Sequence, residues 1–232
     1  MLRYKLSVII PVYNEQASLS QLFDQLVATL QSFEGTYELI FVDDGSTDES
    51  PEVLTGLYHK NTQVVVISLK RNFGQTAALM AGIEHARGDV IVLLDADLQN
   101  DPADIPELLS KLDEGYDVVS GWRRQRRDPL FSRRFPSWCA NRLISWVTGV
   151  RLRDYGCTLK AYRRSVLENI ELYGEMHRFL PALVAWTGAQ VSEMPVRHHP
   201  RRYGDSKYGL GRVMRVLLDL VTVKFLLSYR TR

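Results

Sequence analysis

The sequence predicts an α/β fold, with a mostly parallel central sheet flanked by helices. Three observations carry this. Short apolar runs alternate with amphipathic stretches through the first 120 residues, the order that right-handed strand–helix–strand crossovers need. The run at 89–94 (DVIVLL) is apolar on both faces, as a strand covered by helices on each side must be. Polar turns follow successive runs, and in a parallel sheet such turns gather at one edge, where α/β proteins bind ligands. No linker, internal repeat or low-complexity stretch divides the 232 residues, so one domain with a sizeable core is expected.

Each element has its own signal. Residues 5–10 form a short apolar strand stopped by Pro11. Residues 16–33 place Leu19, Leu22, Phe23, Leu26, Val27 and Leu30 at helical spacing. A second strand at 37–42 leads into DDGSTD, where Ser46, Thr47 and Asp48 are candidate caps for a helix reaching about Lys60. Residues 63–69 read as a third strand, and 74–86 as a third helix closed by Gly88. The run at 89–94 follows, then a helix over 102–114 with Pro102 in its first turn, then a strand at 116–120. After Gly121 the pattern changes. Residues 122–134 hold six arginines in a polar stretch that reads as a loop. Beyond it, helices are expected at 137–147, 176–187 and 209–227, strands at 157–162 and 190–198, and a basic loop at 199–207.

Net charge is only +2, but it is unevenly placed. Residues 1–120 carry 7 Lys/Arg against 19 Asp/Glu, and residues 121–232 carry 22 against 8. An acidic half followed by a basic one suggests two tasks, holding a cation and holding anions. Cys139 and Cys157 form no CxxC pair and no secretory signal precedes them, so a reduced, cytosolic setting is expected. The longest apolar candidate, 213–227, is interrupted by Arg215, Asp219 and Lys224 and falls short of a membrane span.

Several chemistries are excluded by missing motifs. The first strand turn is PVYNE rather than GxGxxG, and no GxxxxGK[ST], GxSxG or zinc-spaced His/Cys set occurs. His198 and His199 read as solvated side chains of the basic loop. What remains is DADLQ at 95–99. Residues two apart on a strand point the same way, so Asp95 and Asp97 are expected to project together, with Gln99 following. Such oxygen donors suit a hard divalent ion, Mg²⁺ or Mn²⁺, that fills its other positions with water and substrate phosphate. Alone, the pattern equally describes a solvated acidic turn. Three more polar turns join it: PVYNE (11–15), DDGSTD (43–48) and RNFGQTAA (71–78). Asp43 or Asp44 can accept from the N–H of uracil or guanine, Tyr13 can pack on the base, and an ion at Asp97 can clamp a diphosphate. Each turn has a plainer reading: Asn14–Glu15 as a helix start, Asp43–Asp44 as turn chemistry, Arg71 as a surface charge. Four at one edge favour a nucleotide site.

The motifs VIIPVYNE, FVDDGSTD, RNFGQTAALMAGI and DADLQNDP, in this order, resemble the family 2 glycosyltransferases of GT-A fold. The stretches at 99–127 and 154–164, with RRYGDSKYGLGRV at 201–213, are similar to the branch that loads sugars onto polyprenyl phosphates. That branch includes dolichyl-phosphate mannose synthases, bactoprenol glucosyltransferases and undecaprenyl-phosphate aminoarabinose transferases. The resemblance implies that Asp97 and Gln99 hold the metal and that Asp95 contacts the donor's sugar or ribose. It implies that Pro11, Tyr13, Glu15 and Asp43 line the nucleotide pocket, to which Asp44 and Arg71 are added here. Arg123, Arg133 and Ser137 fall where the branch grips phosphate, and Arg202 and Lys207 belong to a closing C-terminal loop. Within one catalytic domain, residues 1–121 would serve donor and metal, 122–208 the acceptor, and 209–232 the approach to the membrane.

The implied reaction moves a sugar, with inversion, from a nucleotide-diphosphate sugar, expected to be UDP-linked, to a polyprenyl phosphate. A phosphate monoester is mostly dianionic near neutral pH and needs no strong base before attack. Asp154 is the remaining candidate for an assisting carboxylate, beside Asp95, Asp97 and Arg123 in the catalytic group. The expected partners are the donor, the lipid phosphate, an anionic membrane surface on the cytoplasmic face and further copies of the chain, in a homo-oligomer such as a tetramer. No nucleic-acid partner is expected. Many members of the branch continue into transmembrane helices, so a chain stopping at Arg232 after KFLLSYRTR is either a natural peripheral form or, the reading favoured here, one cut short of them. Two alternatives stay open: a soluble glycosyltransferase acting on a saccharide or protein hydroxyl, and a non-enzymatic binder of anionic membranes or nucleic acid using the arginine cluster.

Overall fold

A computed structural model describes residues 4–124, 135–168, 170–203, 218–225 and 228 of the chain. Strands β1 (Tyr4–Val12), β2 (Thr36–Asp43), β3 (Val64–Ser68) and β4 (Val90–Leu93) pair in parallel, with β1 between β2 and β4. The remaining strands are β5 (Val118–Trp122), β6 (Lys160–Arg163) and β7 (Val191–Pro195). The sheet order is β3-β2-β1-β4-β6-β5-β7. Only β6 opposes its neighbours. It runs antiparallel between β4 and β5, while β7 joins β5 in parallel. Helices α1 (Gln16–Leu30), α2 (Ser50–Lys60) and α4 (Ile105–Asp113) cover one face. The other face carries α3 (Gln75–His85), α5 (Phe135–Thr148) and α6 (Leu180–Ala185).

The two faces follow from the period of two along each strand. Val8, Ile10 and Val12 of β1 point into the core beneath α1 and α2, with Leu19, Leu22, Leu26 and Leu54. Ile9, between them, points into the opposite core with Ile40, Leu79 and Leu93. The expected stop at Pro11 is corrected: β1 continues through it to Val12. The β1–β4 pairing ends at Ile9↔Leu93, with Leu94 N–H donating to the Ile9 carbonyl. Pro11 faces the side that β4 has already left, so its missing N–H costs no ladder bond. Gly88 is corrected too. The third helix ends at Ala86 in extended geometry, and Gly88 instead lets its backbone touch β1, where a Cβ would stand 2.6 Å from Ser7 N.

Beyond β5 the expected helix at 176–187 is a 3-10 turn, Met176–Phe179, followed by α6. The expected helix at 209–227 is described at 218–225, where Leu220 and Val223 are buried and Leu218, Val221 and Phe225 are exposed. Asp219 anchors this segment by accepting the Glu175 N–H at 2.7 Å. Among the described residues no helix is long and apolar enough to cross a membrane.

Two glycines in helices separate packing from propensity. Gly82 of α3 lies so near the sheet that a Cβ would meet Ile9 Cγ2 at 2.3 Å, whereas a Cβ on Gly56 of α2 meets nothing within 4 Å. Gly82→Ala is therefore expected to cost about 1–3 kcal/mol through overpacking. Gly56→Ala is expected to add roughly 0.4–1 kcal/mol. Urea unfolding of the two variants checks the opposite signs.

Candidate active site

The turns after β1 and β2 are stitched to each other. Asn14 adopts φ 54, a left-handed conformation that asparagine tolerates. Its Oδ1 accepts the Thr47 N–H at 2.7 Å and its own N–H donates to Ser46 Oγ at 3.0 Å. Asp48 accepts from Gln16 N–H, the start of α1, at 3.2 Å and from Ser50 N–H, the start of α2, at 3.0 Å. Burial opposes the Asp48 charge, but these donors prevail and hold its carboxyl below the usual range.

Beside this stitched edge lies a cavity of about 310 Å³, within the range of small-ligand sites. Pro11, Tyr13, Glu15, Asp44 and Arg123 line it, as do Asp95, Asp97 and Gln99. The two carboxylates and the amide thus share one space, but not for the strand reason. β4 ends at Leu93, residues 96–98 form a turn, and Leu98 has φ 60. Asp95 is held by Gln75 Nε2 at 2.7 Å and by Thr158 Oγ1 at 2.6 Å. Its surroundings push its carboxyl up to about 6, mainly by burial and then by the nearby Asp97 charge. Asp97 accepts the Gln99 N–H at 3.1 Å on Oδ1 and the Arg201 guanidinium at 2.7 Å on Oδ2.

Arg123 follows directly after β5 and meets Asp154 in a two-point pair, Nε–Oδ2 2.7 Å and Nη2–Oδ1 2.9 Å. Asp154 is 2% exposed and also accepts the Gly156 N–H at 3.1 Å. It does not line the cavity. Beneath, Lys160 is buried on β6, with Nζ donating to the Tyr155 carbonyl at 3.2 Å. Burial draws its ammonium down to about 8.

Other expected residues fall elsewhere. Asp43 is not among the residues that line the cavity, and it accepts the Ser46 N–H at 3.0 Å. Asp44 lines it, but its two oxygens already accept the N–H groups of Phe73 and Gly74 at 2.7 and 2.8 Å. Of the two carboxylates that read as base acceptors, Asp44 thus shapes the RNFG turn and Asp43 its own DDGS turn. Arg71 is exposed and stacks 4.8 Å over the Phe73 ring. Arg202 is exposed and its neighbour Arg201 takes the place at the cavity. Arg133 and Lys207 lie outside the described residues. So does the side chain of Ser137, whose backbone belongs to α5. The histidines are not simply solvated: His198 lines the cavity and His199 stands 3.0 Å from Asp101. Sequence reasoning missed Gln75, Thr158 and Arg201, although RNFGQTAA and the stretches at 154–164 and 201–213 contain them, and Glu175, which no local pattern marks.

The model of the family "Glycosyl transferase family 2" matches residues 7–171. This chain belongs to glycosyl transferase family 2. A dodecaprenyl-phosphate galacturonate synthase of Rhizobium johnstonii is 47% identical over 232 residues, covering 98% of this chain and 69% of that protein. An undecaprenyl-phosphate 4-deoxy-4-formamido-L-arabinose transferase of Edwardsiella ictaluri is 45% identical over 217 residues, covering 93% and 66%. The chain thus spans about two thirds of the length of these curated relatives. A mannosyltransferase of Pyrobaculum calidifontis, solved with GDP-Man and Mn²⁺, superposes with a TM-score of 0.66 at 17% identity, covering 95% of this chain and 65% of that one. The fold is that of the GT-A glycosyltransferases.

In this family 2 domain the Asp95 charge is a stability cost while no ligand is bound. A raised carboxyl favours folding below the unfolded value of about 3.9, and that advantage is lost as pH rises through about 6. The difference corresponds to roughly 3 kcal/mol at most. Asparagine keeps both contacts, accepting from Gln75 and donating to Thr158. Asp95→Asn is therefore expected to melt above the wild type at pH 7.5 in EDTA, with the gain shrinking toward pH 4. Thermal scans across pH check this.

Proposed function

We propose that this chain transfers a sugar, with inversion, from a nucleotide-diphosphate sugar, UDP-linked, to a polyprenyl phosphate at the cytoplasmic face of a bacterial membrane. The observation that carries it is Asp95, Asp97 and Gln99 gathered in one cavity with Arg123 fixed at its wall. The relatives' names supply the acceptor class, since both act on polyprenyl phosphates.

The donor set fits a hard divalent cation. Among the described residues no three His, Cys, Asp or Glu side chains form a cluster that could hold a metal. Asp97 and Gln99 would hold Mg²⁺ or Mn²⁺ with oxygen ligands only, leaving positions for diphosphate oxygens. Asp97 Oδ2 already draws a cation, the Arg201 guanidinium at 2.7 Å. When bound, the ion supplies positive charge to the leaving diphosphate.

The chain's own residues do the positioning. Asp95, immobilised by Gln75 and Thr158, presents a fixed acceptor to hydroxyls of the donor. Tyr13 offers a ring to the base. Asp154 locks the Arg123 guanidinium, and a preset cation suits an anionic nucleophile brought in line with the anomeric carbon. With its oxygens spent on Arg123 and Gly156 N–H, Asp154 acts as a positioning residue rather than as a base. That suits an acceptor which arrives charged.

A membrane surface fits one side of the molecule. Trp146 of α5 is 81% exposed beside Leu143, and Leu218, Val221 and Phe225 are exposed on the adjacent helical segment. Lys224 Nζ reaches the Val147 carbonyl at 3.4 Å, which joins the two patches. Apolar side chains flanked by basic ones are the pattern of interfacial helices.

The deciding experiment offers UDP-sugars with Mn²⁺ and either a short polyprenyl phosphate or free saccharides. Transfer to the lipid phosphate is expected, and transfer to saccharide hydroxyls with the lipid phosphate inert would overturn the proposal. Asp97→Asn should abolish transfer and metal-dependent nucleoside diphosphate binding with the fold intact by circular dichroism. Arg123→Ala should raise KM for the lipid phosphate more than for the donor, since a charge-assisted hydrogen bond contributes about 1.5–3 kcal/mol. In co-sedimentation with anionic vesicles, Trp146→Ala should weaken binding, and rising salt should weaken the wild type, each basic residue contributing roughly 1 kcal/mol at low salt.

A further inference from the structure

The 97–104 turn and the 197–201 segment face each other along a ladder of side-chain pairs. Arg197 donates to buried Asp104 through its backbone N–H and its Nε, each at 2.7 Å. His199 stands 3.0 Å from Asp101, and its backbone N–H donates to the Gln99 carbonyl at 2.8 Å. Between these rungs Asn100 and His198 pair as an isolated antiparallel bridge. The last rung is Arg201 on Asp97 at 2.7 Å.

The rungs do different things. Asp101 and Asp104 lie off the cavity, so Arg197 and His199 fasten one stretch of chain to another. Arg201 and Asp97 both line the cavity, and their side chains are only 21% and 10% exposed. An ion held by Asp97 would bind a carboxylate oxygen directly. A guanidinium nitrogen 2.7 Å from that oxygen is a second cation competing for the same electron pairs, in a place where water screens the repulsion weakly.

We infer that Arg201 is a placeholder cation, which neutralises Asp97 in the metal-free protein and is displaced when the metal enters. This rests on the proposed metal role of Asp97. Arg197 and His199 keep their own carboxylates throughout, so the displacement releases the Arg201 side chain while the segment stays anchored through His199.

The test measures Mn²⁺ binding without nucleotide, by the electron paramagnetic resonance signal of free Mn²⁺. Arg201→Gln should bind Mn²⁺ about tenfold more tightly than the wild type, equivalent to about 1.4 kcal/mol. Damage to the fold cannot produce tighter binding. Unchanged or weaker binding in a variant with wild-type melting overturns the inference. A second measurement needs no variant: saturating Mn²⁺ should speed tryptic cleavage after Arg201 and Arg202 of the wild-type protein several-fold, and an unchanged rate also overturns it. Asp97→Asn separates the two levels of the argument. Loss of Mn²⁺ binding there leaves the metal site standing whatever Arg201 does, and retained binding removes the site and the inference together.

Discussion

Aspartates crowd the carboxyl edge of the sheet, and the molecule depends on every one of them having a partner. Asp43, Asp44, Asp97 and Asp104 are buried, and Asp95 and Asp101 are only partly exposed. An unpaired carboxylate in such a place costs several kcal/mol. Two of the six are met by backbone alone, Asp43 by Ser46 N–H and Asp44 by Phe73 and Gly74 N–H. Asp95 takes neutral side chains. The last three are met by side chains 93 to 104 residues downstream, Arg197, His199 and Arg201. The turns are therefore fixed by their carboxylates as much as by their backbone propensities.

This revises the meaning of the charge asymmetry. An acidic first half and a basic second half suggest two binding tasks, one for a cation and one for anions. Part of the basic excess is instead spent inside the fold. Arg197 and Arg201 neutralise Asp104 and Asp97 of the acidic half. Two opposite charge blocks in a chain can thus mark a long-range contact between them, and the solvated remainder is smaller than the count implies.

Much of the fold was legible because its signals are local. Alternating runs gave β1 to β5, and polar turns after them gave the cavity edge. The antiparallel strand β6 was harder. Four residues, buried on both faces and following a non-helical stretch, carry no directional signal. In the site, Asp95, Asp97 and Gln99 were readable as residues but not as a conformation, since an αL residue at Leu98 replaces the strand geometry. Asp44 shows a second limit: a sequence displays acceptors without showing which are already used. The choice between Arg201 and Arg202 shows a third. Adjacent arginines in a loop have no period to place one inward and the other outward.

The same distinction bears on catalysis. β6 inserts between β4 and β5 and brings the 154–158 segment up to the DADLQ turn, so Thr158 reaches Asp95 while Asp154 reaches Arg123. One short antiparallel strand thus sets both a carboxylate and a cation of the cavity. A general base needs a lone pair directed at the substrate proton. Asp154 directs its oxygens at a guanidinium and a backbone N–H. Chemistry at such a site is best supplied by the reactants' own charges, a dianionic nucleophile and a diphosphate leaving group, with the protein holding them in line.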